Sequence, residues 1–222
     1  MTMLSESAAS PTEQGHKLHS RRRLHEAAAA AASSDSFEEI AEVEGLIIDM
    51  RYASKNNFMS INLYGPFNKL YLHKIAAKKL RRAAVILKKS HPRYDLLVFD
   101  GLRPHSVQRV LWNKVKGTPQ QTFVANPKTG SIHNYGFAVD LTLADNGQEL
   151  DMGTPFDDFR PLAQPVLEAK FLAEGKLKAQ QVANRKLLRR VMTKAGFQQL
   201  AIEWWHFDAL PQEQAKKHPI FE

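Results

Sequence analysis

Two short stretches of this 222-residue chain carry side chains that hold metal ions in proteins. SIHNYGFAVDLTL contains His133 and Asp140, and EWWHF contains Glu203 and His206. The chain has no cysteine, so a bound metal must be held by His, Asp or Glu. His133, Asp140 and His206 supply three nitrogen or oxygen ligands for one zinc ion per chain. A fourth position would stay open for water, which is typical of catalytic rather than structural zinc sites.

Two further side chains suit the chemistry of such a site. Zinc lowers the pKa of its bound water to about 7, and a nearby carboxylate such as Glu203 can take the proton and pass it to a leaving amine. Arg103 ends the apolar stretch YDLLVFDGLRP. Its planar guanidinium suits a developing oxyanion or a bound carboxylate. A surface salt bridge with Asp100 is the alternative interpretation, and spacing alone leaves both open.

The local pattern must bring these groups together. After Gly136 the alternation predicts a strand whose core face carries Phe137, Val139, Leu141 and Leu143, and whose other, partly enclosed face carries Ala138, Asp140 and Thr142. His133 shares the face of Asp140 only if the turn at Gly136 changes the register. Glu203 and His206 converge only if the chain bends. The alternatives are a hydrogen-bonded His–Asp pair and, for Trp204 and Trp205, aromatic core.

The elements that must position these groups follow from periodicity and turn residues. We expect a short strand within 42–54, a helix over 69–89, a buried strand over 94–104, a helix over 107–115, a loop over 118–130, a helix over 187–195 and an aromatic strand-like segment over 197–210. This order predicts an α+β fold with a small central antiparallel sheet and flanking helices. Residues 1–36 contain few large apolar side chains, so we expect a disordered tail before one domain over 37–222.

Composition limits the partners. The net charge is +8, and residues 66–94 hold nine basic side chains and no acid. A solvated helix face is the ordinary interpretation, and docking on an anionic polymer is the alternative. No nucleic-acid motif and no membrane-spanning segment occurs, so we expect neither partner. The stretch SRRRLHEAAAAAASS weakly resembles an export signal, so the expected location is the cytoplasm, with the periplasm as the alternative. Oligomeric state is not predicted.

These motifs together resemble the VanX-type D-alanyl-D-alanine dipeptidases, zinc peptidases that share a fold with the hedgehog signalling domain. SIHNYGFAVDLTL is similar to the family pattern S-x-H-x-x-G-x-A-x-D, and EWWHF is similar to E-x-W-H. RYASKNNF, DGLRP and MGTPFDDF are similar to three further family segments, and the last of these separates the dipeptidases from the carboxypeptidases. The resemblance covers roughly residues 42–210.

The resemblance implies a role for each matching position. It implies that the two histidines and Asp140 bind zinc, that Glu203 is the general base, and that Arg103 stabilises the tetrahedral intermediate. It also implies that Ser131 and Asp157 anchor the free amino group of the substrate, although a turn or helix-capping role for Asp157 stays open. We therefore expect a zinc-dependent dipeptidase that hydrolyses D-alanyl-D-alanine, in cell-wall peptide turnover or in precursor depletion.

Two alternatives remain open from the sequence. A D,D-carboxypeptidase or another peptidoglycan-peptide hydrolase would use the same zinc site with a groove open to longer peptides. A catalytically inactive wall-binding module would keep the fold without turnover, although every proposed catalytic and metal position is filled.

Overall fold

The computed structural model describes residues 11–222, with side chains from residue 20 onward. The strands are β1 (Phe37–Glu39), β2 (Leu46–Ile48), β3 (Tyr71–His73), β4 (Tyr94–Asp100), β5 (Ala138–Asp145), β6 (Gln148–Glu149), β7 (Gln198–Gln199) and β8 (His206–Asp208). The helices are α1 (Pro11–Ser33), α2 (Lys74–Ser90), α3 (His105–Val115), α4 (Glu168–Ala173), α5 (Ala179–Ala195) and α6 (Gln212–Ala215). This arrangement of helices around a small sheet confirms the predicted α+β class.

The central sheet has six strands in the order β2, β4, β5, β8, β7, and β6 pairs with β5. Strands β1 and β3 form a separate two-stranded sheet. The pairs within the central sheet are antiparallel except β2 with β4, which is parallel. The prediction of an antiparallel sheet is therefore wrong for one pair. The chain between β2 and β4 contains α2, the kind of crossover that a parallel pair requires.

Strand β5 lies at the centre of the sheet between β4 and β8. Its predicted core face is confirmed, because the four apolar side chains on it are fully buried: Phe137, Val139, Leu141 and Leu143. The opposite face is more enclosed than expected, since Ala138, Asp140 and Thr142 are buried as well. A charged carboxylate in this position needs partners, and the neighbouring strands supply them.

Helix α2 begins five residues later than the periodicity predicts. Residues 71–73 pair with β1 in an antiparallel ladder, so Leu72 belongs to a strand although its spacing fits the helix. The side chain of His73 then caps α2, since its Nδ1 accepts a hydrogen bond from the backbone N–H of Ile75 at 3.3 Å. Competition from a strand partner that is distant in sequence explains the shorter helix.

Helix α1 occupies most of the segment for which the sequence predicts a disordered tail, so that prediction is wrong for residues 11–33; residues 1–10 lie outside the described part of the chain. Leu24, Ala27 and Ala31 form a stripe at helical spacing and are buried against the main core. Small side chains let the helix approach the core closely, and the folded body supplies apolar surface that composition alone does not reveal.

Helices α2 and α5 pack against each other and against the central strands β4 and β5. The buried positions of α2 are apolar: Ala76, Ala77, Leu80, Ala83, Ala84 and Leu87. Several of the basic side chains predicted to form a charged surface are paired with acids, among them Arg81 with Glu38 and Lys88 with Asp95. Within residues 11–222, no helix is both long enough and apolar enough to cross a membrane.

Candidate functional site

The two histidines and Asp140 meet at one point on the enclosed face of the sheet. His133 Nε2 lies 3.3 Å from Asp140 Oδ2 and 3.2 Å from His206 Nδ1. His206 Nδ1 lies 3.0 Å from Asp140 Oδ1. All three side chains are buried, and in the described residues they form a group that could hold one metal ion.

Strand pairing brings Asp140 and His206 together. Asp140 of β5 lies opposite His206 of β8 on one side and opposite Asp100 of β4 on the other. A bulge between Val98 and Asp100 shifts the register of β4, so that the last carboxylate of that strand is aligned with Asp140. The sheet thus gathers two carboxylates and an imidazole in one row.

A tight turn brings His133 to the same point. Residues Ile132–Tyr135 form a 3₁₀ helix that ends at Gly136, whose φ of 74° lies in the left-handed region that favours glycine. A Cβ on Gly136 would come within 2.9 Å of the backbone nitrogen of His73. The expected break of register at this glycine is therefore confirmed. It places His133 beside Asp140, although an uninterrupted strand would separate them.

The ring of His133 is oriented by the backbone. Its Nδ1 lies 2.8 Å from the carbonyl oxygen of Gly101, so Nδ1–H donates to that oxygen and Nε2 faces Asp140. A neutral imidazole with a free nitrogen is the form that binds metals. The ring of His206 is turned the other way, with Nδ1 facing Asp140 and Nε2 lying 2.9 Å from Asp208 Oδ1.

The donor set and its spacing fit a zinc ion. Ligand atoms placed 2.0–2.1 Å from a tetrahedral ion lie about 3.3 Å from one another, and the three separations here are 3.0–3.3 Å. Burial opposes the charge on Asp140, but His133 and His206 outweigh it and hold the pKa of this carboxyl below its usual value. The carboxylate is therefore ionised, as a ligand must be.

Glu203 lies in the bend that precedes β8. Residues 201–205 form turns and bends rather than strand, which confirms that the chain bends between Glu203 and His206. Glu203 Oε2 lies 3.9 Å from His206 Nδ1, beside the proposed ligands. Burial raises the pKa of Glu203 to about 8, with Asp140 and Asp157 adding to the rise and His206 opposing it. A carboxyl with a pKa near neutrality is suited to both accepting and returning a proton.

Arg103 is buried rather than on the surface. Its Nε and one terminal nitrogen donate to Asp100 Oδ2 at 3.0 and 2.7 Å, and the same terminal nitrogen lies 3.6 Å from Asp140 Oδ2. Its other terminal nitrogen donates to Gln108 at 3.0 Å. Asp100 is itself fixed by the hydroxyl of Tyr64 at 2.5 Å. The predicted ion pair between Arg103 and Asp100 is present, but it is buried, and it holds the guanidinium at the wall of the cavity.

Asp157 comes from a turn in the stretch MGTPFDDF and reaches the same cavity. It has a φ of 61°, which Asp tolerates better than most residues. Its carboxylate accepts hydrogen bonds from the hydroxyl of Tyr52 at 3.2 Å and from the backbone N–H of Phe58 at 3.3 Å. Burial raises the pKa of Asp157 to about 7, and nearby Asp140 contributes to the rise.

Ser131 precedes the 3₁₀ turn and caps it. Its hydroxyl oxygen accepts a hydrogen bond from the backbone N–H of His133 at 3.4 Å, and its own N–H donates to Asn134 Oδ1 at 2.7 Å. Ser131 also lines the cavity, so its hydroxyl hydrogen can point into it. The predicted contact between Ser131 and a substrate amino group stays a prediction.

These groups surround one cavity of about 260 Å³. This volume is smaller than the range of about 300–1,000 Å³ typical of sites for drug-sized ligands. Apolar side chains form much of the remaining wall: Phe58, Leu111, Phe123, Val124, Ile132, Phe159, Leu200, Ile202 and Trp205. Phe58 and Asp157 line both this cavity and a polar crevice beside it, so they stand between the two.

Several residues important to the site were missed from the sequence. Tyr52 lies in the stretch RYASKNNF, but nothing in its spacing showed that its hydroxyl would meet Asp157. Asp208 follows His206 by two residues, so both side chains lie on one face of the strand. This spacing could have indicated that Asp208 lies beside the ring of His206. Thr154 accepts a hydrogen bond from Trp204 Nε1 at 2.8 Å and so ties the loop before Asp157 to the segment of Glu203. Trp204 and Trp205 are both buried, as the aromatic-core interpretation predicts.

Comparison with known proteins places these motifs in a family. The family model Peptidase_M15, described as D-ala-D-ala dipeptidase, matches residues 34–222, which is most of the chain. A D-alanyl-D-alanine dipeptidase from Escherichia coli is 34% identical over 183 residues, covering 79% of this chain and 83% of that protein.

Two further relatives carry the same name. A D-alanyl-D-alanine dipeptidase from Enterococcus faecalis is 30% identical over 191 residues, covering 77% of this chain and 89% of that protein. One from Synechocystis is 30% identical over 177 residues, covering 64% of this chain and 72% of that protein. The similarity therefore extends over the elements that build the site.

Proposed function

This chain belongs to the M15 family of D-Ala-D-Ala dipeptidases, which are metallopeptidases, and we propose that it hydrolyses D-alanyl-D-alanine with one zinc ion. His133, Asp140 and His206 would hold the ion. The observation that carries the proposal is the meeting of three buried ligand atoms 3.0–3.3 Å apart beside a fourth, non-ligating carboxyl. Three protein ligands are the catalytic arrangement, because a structural site would use four.

Each remaining side chain has a distinct task. A bound zinc ion lowers the pKa of water and polarises the peptide carbonyl. Glu203 takes a proton from the water that attacks the carbonyl carbon, and returns it to the amine when the C–N bond breaks. Arg103 donates to the oxyanion that forms on the carbonyl oxygen, and its pairing with Asp100 keeps it in place for this.

The size of the cavity supports a dipeptide as the substrate. About 260 Å³ suits two small residues, and the apolar wall suits methyl side chains. Asp157 stands between the cavity and the outer crevice, where a longer peptide would have to continue. Its carboxylate can instead accept hydrogen bonds from a free ammonium group. These features favour a dipeptidase over a carboxypeptidase that acts on longer wall peptides.

The test is the release of D-alanine by the purified protein from the free dipeptide and from a pentapeptide that ends in the same two residues. We expect hydrolysis of the dipeptide, its loss with a chelator, and its recovery on addition of zinc. Preference for the pentapeptide would overturn the choice of substrate. Activity that survives chelation and metal analysis showing no zinc would overturn the proposed mechanism.

A substitution separates the enzyme from an inactive binding module. We expect Glu203→Gln to retain zinc and to lose roughly 10²- to 10⁴-fold in kcat, because the general base is removed and the ligands are not. Glu213→Gln changes an exposed carboxylate in the same way and should keep full activity. Equal activity of both variants would contradict the role of Glu203.

For the cellular setting we propose the cytoplasm. The stretch SRRRLHEAAAAAASS, which weakly resembles an export signal, lies within or next to α1, and Leu24, Ala27 and Ala31 pack it against the core. Cleavage after this stretch would remove that packing. A fusion of residues 1–36 to an export reporter tests the proposal: export of the reporter would favour the periplasm.

A further inference from the structure

The two histidines at the proposed metal centre are held by different acceptors. His133 donates from Nδ1 to a neutral backbone carbonyl, that of Gly101, at 2.8 Å. His206 donates from Nε2 to a carboxylate oxygen of Asp208 at 2.9 Å. Asp100 Oδ2 lies 3.7 Å from His133 Nδ1, beyond hydrogen-bond distance, so of the two rings it is His206 that has a carboxylate hydrogen-bonded to the nitrogen away from the ligand position.

Asp208 is held in place by the sheet. It lies two residues after His206 on β8, so both side chains project from the same face of the strand. Its backbone is paired with Ala138 of β5 on one side and with Gln198 of β7 on the other. Immediately after it, the N–H of Ala209 donates to the carbonyl of Phe137 at 2.6 Å. A carboxylate on such a fixed backbone can orient a neighbouring ring.

We propose that Asp208 is a positioning residue for the metal centre. Its carboxylate accepts the hydrogen bond from Nε2–H of His206, so the proton on Nδ1, which faces Asp140 Oδ1 3.0 Å away, is the one that a bound metal would displace. A carboxylate behind a ligand histidine fixes the tautomer and the ring plane and makes the ligand nitrogen a better electron donor. Asp208 therefore sets how tightly this chain holds its metal. This inference rests on the metal site of the proposed function.

The position of Asp208 allows a competing role that the test must exclude. Asp208 is one of the side chains that line the cavity, so its carboxylate is within reach of a bound substrate. A substrate contact would change KM and leave metal affinity unaltered. A positioning role would change metal affinity and leave KM unaltered once the metal site is filled.

The experiment measures zinc affinity directly, by competition between the full-length metal-free protein and a chromophoric chelator. We expect Asp208→Ala to raise the zinc dissociation constant roughly 10- to 100-fold, the usual effect of removing such a partner. Asp208→Asn should give a smaller rise, because its side-chain oxygen still accepts the hydrogen bond but carries no charge. Glu213→Gln is the control and should bind zinc as the unchanged protein does.

Hydrolysis with zinc in excess completes the test. We expect Asp208→Ala to recover activity as zinc is raised, with KM for the dipeptide unchanged. Unaltered zinc affinity in both Asp208 variants, or a raised KM at saturating zinc, would overturn the inference. Thermal unfolding of the metal-free proteins checks folding; should Asp208→Ala unfold, the isosteric Asp208→Asn decides.

Failure of this inference and failure of the proposed function have different signatures. Zinc binding is measured without any substrate. A protein that binds zinc more weakly after the Asp208 substitutions but does not cleave the dipeptide would refute the proposed substrate and support the role of Asp208. A protein that cleaves the dipeptide and binds zinc equally well in every variant would support the proposed substrate and refute the role of Asp208.

Discussion

The two ends of the cavity shift the pKa of a buried carboxyl in opposite directions. At the metal end, the two histidines hold the pKa of Asp140 below its usual value in spite of burial. At the other end, burial and the nearby charge of Asp140 raise the pKa of Asp157 to about 7, although the backbone N–H of Phe58 and the hydroxyl of Tyr52 donate hydrogen bonds to it. The nearby partners, rather than enclosure, decide which carboxyl is charged.

This difference in charge indicates which ligand each end of the cavity can bind. Asp140 is ionised before any metal arrives, so this ligand releases no proton when a divalent cation binds. Asp157 becomes fully charged near neutral pH only when a cation approaches, and the ammonium group of a dipeptide is such a cation. The cavity thus has a permanent anionic end and an end whose charge depends on the substrate.

The largest effect is expected when the charged carboxylate at the metal end of the cavity is removed. Asp140→Asn removes the charged ligand, and we expect loss of stoichiometric zinc and a fall in kcat/KM of more than about 10³-fold, since the metal supplies several kcal/mol of stabilisation. Metal analysis and dipeptide hydrolysis measure both. Asp145→Asn changes a half-buried carboxylate that pairs with Arg93 at the far end of the same strand; it is the control and should keep zinc and activity. Full activity in Asp140→Asn would refute the assignment of the metal end.

Neutralising the other end should have a smaller and different effect. Asp157→Asn keeps the shape and tolerates the left-handed backbone, but it offers no charge to the substrate ammonium. We expect KM to rise roughly 10- to 100-fold with zinc content unchanged, the cost of losing a charge-assisted hydrogen bond. The adjacent Asp158→Asn is a matched control, because that carboxylate pairs with Arg160 and does not line the cavity. A loss of zinc in Asp157→Asn, with KM unchanged, would mean that Asp157 belongs to the metal site and does not bind the substrate.

The sequence predicted the metal end better than the other end. Strand alternation and a turn glycine are local signals, and they were enough to place His133 beside Asp140. The opposing register of β4 and β8, which adds Asp100 and aligns His206, depends on pairing between segments about 40 and 70 residues apart. No local pattern reports such pairing, and for that reason the place of Asp100 beside Asp140 was not predicted.

The errors in the fold have the same origin. The sequence predicted α2 too long because helical spacing continues through Leu72, while the structure gives that residue to a strand with a partner some 35 residues away. It predicted disorder in the segment of α1, because alanine side chains carry little apolar surface and composition does not show that a folded core lies against them. In both cases a tertiary contact overrides what composition and periodicity favour locally.

The subtlest expected difference between the two ends appears in the stability of the metal-free protein. The pKa of Asp157 is raised to about 7, so between pH 4 and 7 the folded protein holds a proton that the unfolded chain has released. Stability therefore falls as pH rises through this window, by up to about 1.4 kcal/mol per pH unit from this group, and levels off above it. Urea unfolding at several pH values, with chelator present, measures the slope.

Asp157→Asn should flatten this fall, because the amide does not titrate. Glu203, with a pKa near 8, adds a fall of the same sign that continues one unit higher, so Glu203→Gln should flatten the upper part of the curve. Asp158→Asn should leave the slope between pH 5 and 7 unchanged, since pairing with Arg160 lowers the pKa of Asp158 and confines its effect to more acidic conditions. Parallel curves for Asp157→Asn and the unchanged protein would mean that Asp157 is ionised without a substrate, and the contrast between the two ends would disappear.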